Sequence, residues 1–211
     1  MKINGIILAA GLSSRMQAFK PLLKLQNKTV IESCIDSMLK AGAGQVILVL
    51  GYRAEEVEAY LADKYARSRL KLAYNQNYAE TDMLTSIKIG VSALKPCDAF
   101  YLLPGDMPAI HPETFRAVKE AMLRTQALAA FPAIDGKRKH PPLISWQCRD
   151  LILNFTGEGG LREVWKTLED RVATVPVEDL GCLMDTDTKE DYHKLVNYLA
   201  DQHSIPGEYI L

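Results

Sequence analysis

Two cations and two carboxylates, far apart in the chain, have the side chains and neighbours needed for phosphate chemistry. Arg15 and Lys20 follow an apolar run, Ile3 to Leu8, that ends in the small residues Ala9, Ala10, Gly11, Ser13 and Ser14. Small residues let the backbone approach a ligand closely. Their N–H groups, with an Arg that can bind two oxygens at once, make a phosphate cradle. It is not a Walker A loop, because no Gly-Lys-Ser/Thr closes it. Nor is it a dinucleotide fingerprint, because Gly11 stands alone. A strand-to-helix turn with solvated Arg15 and Lys20 is the other reading of the same residues. Asp106 leaves the apolar run Ala99 to Leu103 on the stiff turn Pro104-Gly105-Asp106-Met107-Pro108. Pro, Gly and Asp are common in any turn, yet a buried strand releasing a carboxylate at its end is one way to present a metal ligand. In Met184-Asp185-Thr186-Asp187-Thr188, the pair Thr188 and Asp191 makes a capping box for a terminal helix. Asp185 and Asp187, alternating on what reads as a short strand, are less well explained by capping.

The segment from Leu8 to Lys20 resembles the signature of the nucleotidyltransferases that activate molybdopterin, and of related NTP transferases: L-A-A-G-x-S-x-R-M-G-x-x-K. Gln17 stands where the pattern has its second glycine. Gly105-Asp106-Met107-Pro108 resembles the metal-binding motif of that family. Asp185 to Tyr192 resembles its D-x-D-T-P-E-D-Y, with Lys189 for proline. The resemblance implies Asp106 and Asp187 as metal carboxylates, with Asp185 in support. Asn77 to Gly90 resembles its N-x-x-x-x-G-M-x-x-S segment, with Asp82 at the glycine. Thr85 and Ser86 could then bond a base or ribose, although Met83, Ile87 and Val91 have the spacing of ordinary core. Ser86 reads equally as a ligand contact or a solvated helix position. Gly136 to Pro141 resembles G-x-x-G-H-P, with Lys139 at the second glycine. Gly157 to Arg162 resembles G-D-x-G-x-R, with Glu158 for Asp. These two loops imply an acceptor site at His140, Gly159 and Arg162; solvated surface loops are the alternative.

The resemblance covers Lys2 to about Leu199 and implies a Mg²⁺-dependent transfer from an NTP to a phosphorylated, molybdopterin-like acceptor, releasing pyrophosphate. Two carboxylates and two cations suit that reaction. A triphosphate is too negative for an anionic nucleophile to approach unaided, and Mg²⁺ uses only one or two protein carboxylates. The catalytic residues implied are Arg15, Lys20 and Asp106. The nucleotide contacts add Leu8, Ala9, Ala10, Gly11, Ser13 and Ser86. A phosphate nucleophile is already ionised, so no histidine base is needed. Cytidylyl-transferring members tend to read L-A-A-G and guanylyl-transferring members L-A-G-G. Ala10, whose methyl takes room beside the base, therefore points to CTP. A relative activating a sugar or alcohol phosphate is the second reading. A third is a non-catalytic nucleotide-binding module, motivated by Gln17, Asp82 and Lys189.

Composition limits the alternatives. The chain has 211 residues, 48% hydrophobic and 24% charged, with a net charge of −1. These values suit an ordinary globular protein and give no sign of a nucleic-acid or anionic-membrane binder. No stretch approaches the ~20 apolar residues of a membrane span, and the cytoplasm is the expected compartment. Cys34, Cys97, Cys148 and Cys182 form no C-x-x-C pair and are expected as buried free thiols. The four histidines show no metal-ligand spacing.

The elements that must position these residues alternate. Strands are predicted at Ile3 to Leu8, Val46 to Leu50, Leu70 to Tyr74 and Ala99 to Leu103. Helices are predicted at Val30 to Leu39, started by the Thr29/Glu32 capping box, and at Ala54 to Ala66, Met83 to Leu94 and Pro112 to Arg124. This βαβα rhythm predicts a three-layer, Rossmann-like α/β domain over residues 1–200. Later strands, Leu128 to Ala133, Pro142 to Ser145 and Val172 to Val177, flank the basic loop Gly136 to His140. They make the sheet mixed toward one edge, where Pro176 belongs. Helices at Leu161 to Leu168 and Thr188 to Ala200 complete the series. Residues 201–211 form a tail whose Tyr209-Ile210-Leu211 reads as a frayed end or as the start of a second domain.

Overall fold

The computed structural model describes residues 1–12, 16 and 18–204. Arg15, Ser13, Gln17 and the Tyr209–Leu211 run lie outside the described residues. The chain begins with strand β1 (Ile3–Ala9), a one-turn 3-10 helix at Lys20–Leu22 and the ribbon of β2 (Lys24–Leu25) and β3 (Lys28–Thr29). Helix α1 (Val30–Lys40) starts at the predicted capping box, with both reciprocal hydrogen bonds of Thr29 and Glu32 present. Next come β4 (Val46–Leu50), α2 (Ala54–Leu61), β5 (Leu70–Tyr74), α3 (Met83–Ala93), β6 (Ala99–Pro104) and α4 (Pro112–Thr125). The second half holds β7 (Ala129–Ile134), β8 (Lys137–Arg138), β9 (Leu143–Ser145), α5 (Arg149–Asn154), α6 (Leu161–Thr167), β10 (Val172–Pro176) and α7 (Lys189–Ser204).

The sheet runs β10-β7-β9-β6-β1-β4-β5, with β8 folded onto β7. Pairings among β6, β1, β4 and β5 are parallel, and β10 is parallel to β7. The antiparallel strand β9 sits between β6 and β7, so the mixed region is the half toward β10. Strand β10 is the edge, where Pro176 leaves no ladder hydrogen bond unmade in the interior. Side chains alternate across the strands. Leu48 and Leu50 face a core built with Ile31, Ile35 and Met38 of α1 and with Phe115 of α4. Ile47 and Val49 face the opposite core, with Ile87 and Val91 of α3, Ile152 of α5 and Trp165 of α6. The sheet thus has helices on both faces, which is the predicted three-layer α/β architecture.

Local expectations changed in several places, and helix α7 runs on to Ser204, into the segment expected as a tail. Helix α2 ends at Leu61, not Ala66. A turn closes there through Lys64 N–H to the Leu61 carbonyl, and Tyr65 leaves the helical path to donate its hydroxyl to Asp36 at 2.9 Å. The basic loop contains a hairpin, in which Lys137–Arg138 pairs with Ala133–Ile134. Asp135 (φ 50°) and Gly136 (φ 72°) take the positive φ that a two-residue hairpin turn of type I′ requires. Helix α5 was not foreseen, since six residues are too short to display a period. Asp185 and Asp187 lie in irregular chain, not on a strand. Thr188 and Asp191 do form the capping box of α7. All four cysteines are free thiols; Cys97 is only half-buried, while the other three are buried.

Candidate active site

In open α/β sheets, ligands gather at the carboxyl ends of strands where the strand order reverses. Here the reversal falls between β1, whose connection leads outward to β4, and β6, whose chain continues to the other side. Leu8 to Gly11 and Pro104 to Asp106 leave these two strands side by side. Gly105 N–H donates to the Leu8 carbonyl at 2.8 Å. A Cβ on Gly105 would stand 2.9 Å from that oxygen and 3.1 Å from Ala9 Cβ, so only glycine lets the two strand ends close up. Gly51, at the end of β4, is held in the same way. A Cβ there would stand 2.6 Å from the Ala10 carbonyl oxygen.

Asp106 follows Gly105 on this turn. Lys20, at the start of the one-turn helix, reaches across to it with Nζ 3.4 Å from Asp106 Oδ2. The same Nζ lies 2.5 Å from Asp187 Oδ1. Lys20 is 13% exposed, and the two carboxylates about twice that, so the ion pairs are partly shielded from water. Asp187 is held by its own backbone N–H donating to Asp185 Oδ1 at 2.9 Å. Burial pushes the Asp185 carboxyl up from its ordinary range. The Asp187 N–H bond opposes that rise, and the nearby charges of Asp187, Asp106 and Asp191 add to it. Three segments distant in sequence thus meet here, two bringing a carboxylate and one the ammonium between them. Among the described residues, no group of three or more His, Cys, Asp and Glu gathers in a metal-holding cluster. A pair of oxygen donors is nevertheless a set that suits a hard cation keeping several waters.

Lys20 and Asp106 border a cavity of about 250 Å³ whose wall includes Leu8, Ala9, Ala10, Gly11 and Ser86. The described nucleotide candidates are therefore gathered in one place. Ser86 is not a solvated helix position: it is 5% exposed, and its Oγ accepts from Asn75 Nδ2 at 3.0 Å. Thr85 is committed locally, its N–H and hydroxyl both bonding Asp82 Oδ1 at 3.0 Å, which makes Asp82 the N-cap of α3. Met83 has core spacing in the sequence but is 61% exposed, because it starts the helix at the cavity rim. Tyr78 and Thr81 also border this cavity and carried no signal in the sequence.

A second cavity, about 700 Å³, joins the first along Leu8, Asp82, Met83 and Pro104. His140, Gly159 and Arg162 all border it, so the two basic and glycine-rich loops meet there despite their separation in sequence. Arg138, Lys139 and Lys166 add positive charge to its wall. Phe131 and Trp165, packed edge to face at 5.7 Å, supply an aromatic surface that the sequence did not reveal. Burial holds the His140 imidazole below its usual range, against a hydrogen bond to the Leu102 backbone that favours the charged form. Its buried Nδ1 has no partner among the described protein atoms.

Comparison with known proteins identifies the family. The profile of the MobA-like NTP transferase domain matches residues 5–172. The molybdenum cofactor cytidylyltransferase of Escherichia coli is 32% identical over 191 residues, covering 90% of this chain and 93% of that protein. A 2-aminoethylphosphonate cytidylyltransferase from Lancefieldella rimae is 33% identical over 99 residues, covering 44% of this chain and 39% of that protein. Among solved structures, a nucleotidyl transferase from Methanothermobacter superposes with a TM-score of 0.77 at 26% identity, covering 95% of this chain and 99% of that one. A strand-end loop, a lysine-linked carboxylate pair and a match over most of the chain agree: this protein belongs to the MobA-like NTP transferase family and is a nucleotidyltransferase.

Proposed function

We propose that this chain transfers the cytidylyl group of CTP to a phosphorylated acceptor of molybdopterin type, releasing pyrophosphate with the help of Mg²⁺. The observation that carries this reading is the Lys20–Asp106–Asp187 cluster, whose Lys20 and Asp106 border a cleft that adjoins a larger, cationic one. Residues 1–200 would act as one transferase domain. Asp106 and Asp187 would hold the Mg²⁺, which when bound draws charge from the phosphates and lets an anionic nucleophile approach.

The remaining work falls to the chain itself. The small-residue loop Leu8 to Gly11 presents backbone to the nucleotide, and Ser86 stands at the wall of the same cleft for a base or ribose contact. Lys20, with Arg15 of the loop outside the described residues, would carry the β- and γ-phosphates, and Ser13 of the same loop would add a nucleotide contact. In the reaction an acceptor phosphate oxygen bonds to the α-phosphorus while the bond from that phosphorus to the bridging oxygen breaks. Charge builds on departing pyrophosphate, where a fixed cation is worth most. The acceptor would lie in the second cavity, its anionic groups on Arg162 and neighbouring basic residues, against Gly159 and His140. Ala10 would favour cytosine by taking room that a purine needs.

A sugar or alcohol phosphate acceptor is the second reading, and the partial match to the aminoethylphosphonate enzyme favours a small acceptor of this kind. The size of the second cavity, about 700 Å³, argues for a larger acceptor. Pyrophosphate release from CTP and Mg²⁺ decides the matter when molybdenum cofactor, molybdopterin and a set of small alcohol phosphates are compared as acceptors. Release with the small acceptors alone would remove the molybdopterin assignment, and release with none of them would remove the transferase one.

A further inference from the structure

Lys20 has two possible sets of partners. Its ammonium is placed on Asp106 and Asp187 at 3.4 Å and 2.5 Å, the same two carboxylates that the functional reading assigns to the divalent cation. It also borders the first cavity, where nucleotide phosphates would lie. Its backbone is fixed: buried Pro21 follows it, and its carbonyl accepts from Leu23 N–H at 3.1 Å. Its side chain is a flexible four-carbon stem ending in a point charge, free to exchange one set of oxygens for another.

We propose that Lys20 and the divalent cation compete for the Asp106 and Asp187 carboxylates, so that the metal takes full hold only when nucleotide phosphates draw Lys20 away. A cation of charge +2 on those oxygens would repel an ammonium within hydrogen-bond distance of them. Bound metal therefore drives Lys20 toward the phosphates, and bound phosphates drive Lys20 off the carboxylates. By linkage, each ligand raises the affinity for the other by the same factor. The device disfavours a metal-loaded site without nucleotide. It gives Lys20 two successive roles, counter-ion of the carboxylates and then of the triphosphate.

This inference rests on the two-carboxylate metal reading, and the test separates the two. Mn²⁺ alone, without nucleotide, is titrated into the full chain and followed by the loss of its free-ion EPR signal. Lys20→Met, which keeps the stem and removes the charge, is expected to bind Mn²⁺ at least about tenfold more tightly than the unaltered protein, the scale of one charged hydrogen bond. Lys20→Gln, expected to gain similarly, serves if the methionine variant fails to fold. Asp106→Asn in the Lys20→Met background should remove the gain. Unchanged or weaker Mn²⁺ binding by both lysine variants, with Asp106→Asn still abolishing it, overturns the competition and leaves the metal site standing. Mn²⁺ binding that ignores Asp106→Asn overturns the metal site, and the competition with it.

Discussion

Lys20 Nζ and Asp187 Oδ1 are 2.5 Å apart in space and 167 residues apart in sequence. This pair ties the loop after the first strand to the segment before the last helix. The Lys20 ammonium also holds Asp106, on the turn after β6. The candidate centre thus draws on the first, middle and last parts of the sequence. Its parts are brought together by the switch in strand order between β1 and β6.

Removal of a carboxylate should separate chemistry from folding. Asp106→Ala is expected to lower pyrophosphate release by about 10²-fold or more, the scale of losing one preorganised electrostatic group. Its melting temperature should change little, since Asp106 is a quarter exposed on a turn. Asp187→Asn keeps an amide oxygen and should raise the Mg²⁺ concentration needed for half-maximal activity. An unchanged Mg²⁺ dependence would leave Asp187 only a structural role beside the α7 cap.

The cations should distinguish nucleotides by their phosphate number. Arg15→Ala and Lys20→Ala are each expected to weaken CTP binding by ~1.5–3 kcal/mol, the scale of a charge-assisted hydrogen bond. CMP, which lacks the β- and γ-phosphates, should lose much less. Calorimetric titration of both nucleotides in the presence of Mg²⁺ is the measurement; equal losses would move these residues away from the outer phosphates.

Base selection is expected to rest on a single methyl group, that of Ala10. Ala10→Gly should raise the ratio of GTP to CTP use in kcat/KM, because the lost Cβ returns space at the wall of the cleft. A ratio that stays constant would shift selection to the Asn75–Ser86 side.

One stability contribution should be independent of activity. Asp179 caps α4 from outside the helix, accepting from His111 N–H at 2.9 Å and from the Thr114 hydroxyl at 2.6 Å. Its other oxygen accepts from Gly181 N–H. Asp179→Ala should cost about 1–2 kcal/mol in urea unfolding, the scale of a lost helix cap. Turnover under folded conditions should stay near that of the unaltered protein.

Acid sensitivity should be traceable to Glu32. Burial raises the carboxyl of this residue, but hydrogen bonds from Lys64, Tyr60 and Thr29 outweigh it and bring the pKa down to about 2. The folded pKa is therefore below the unfolded one, near 4.3. Its stabilisation is complete above that unfolded value and is lost as the pH falls toward about 2. Glu32→Gln should lower stability at pH 7 and flatten the acid limb of the stability curve between pH 5 and pH 2, measured by denaturant unfolding across that range. A variant with the same acid limb would show that other carboxylates control it.

What the sequence determined by itself was local. Continuous apolar runs marked β4 and β6 because strands buried on both faces have no polar side to display. The Thr29/Glu32 and Thr188/Asp191 pairs marked helix starts because a capping box is closed within four residues. The motifs around Gly11, Asp106 and Asp187 pointed to phosphate chemistry through their resemblance to nucleotidyltransferase motifs, since a turn or a helix cap would by itself account for the same residue types. The tertiary structure decided what depends on partners distant in the chain. It placed antiparallel β9 between β6 and β7, since strand pairing is a contest among segments and no short window contains it. It drew His140, Gly159 and Arg162 to one cavity beside Asp82, buried Ser86 under Asn75 and exposed Met83 at the rim. It also set Lys20 between two carboxylates, a contact that arises only when three strand and helix ends converge. Local hydrogen bonds and side-chain periodicity are encoded over a few residues, whereas cavities and ion pairs arise from packing across the whole sheet.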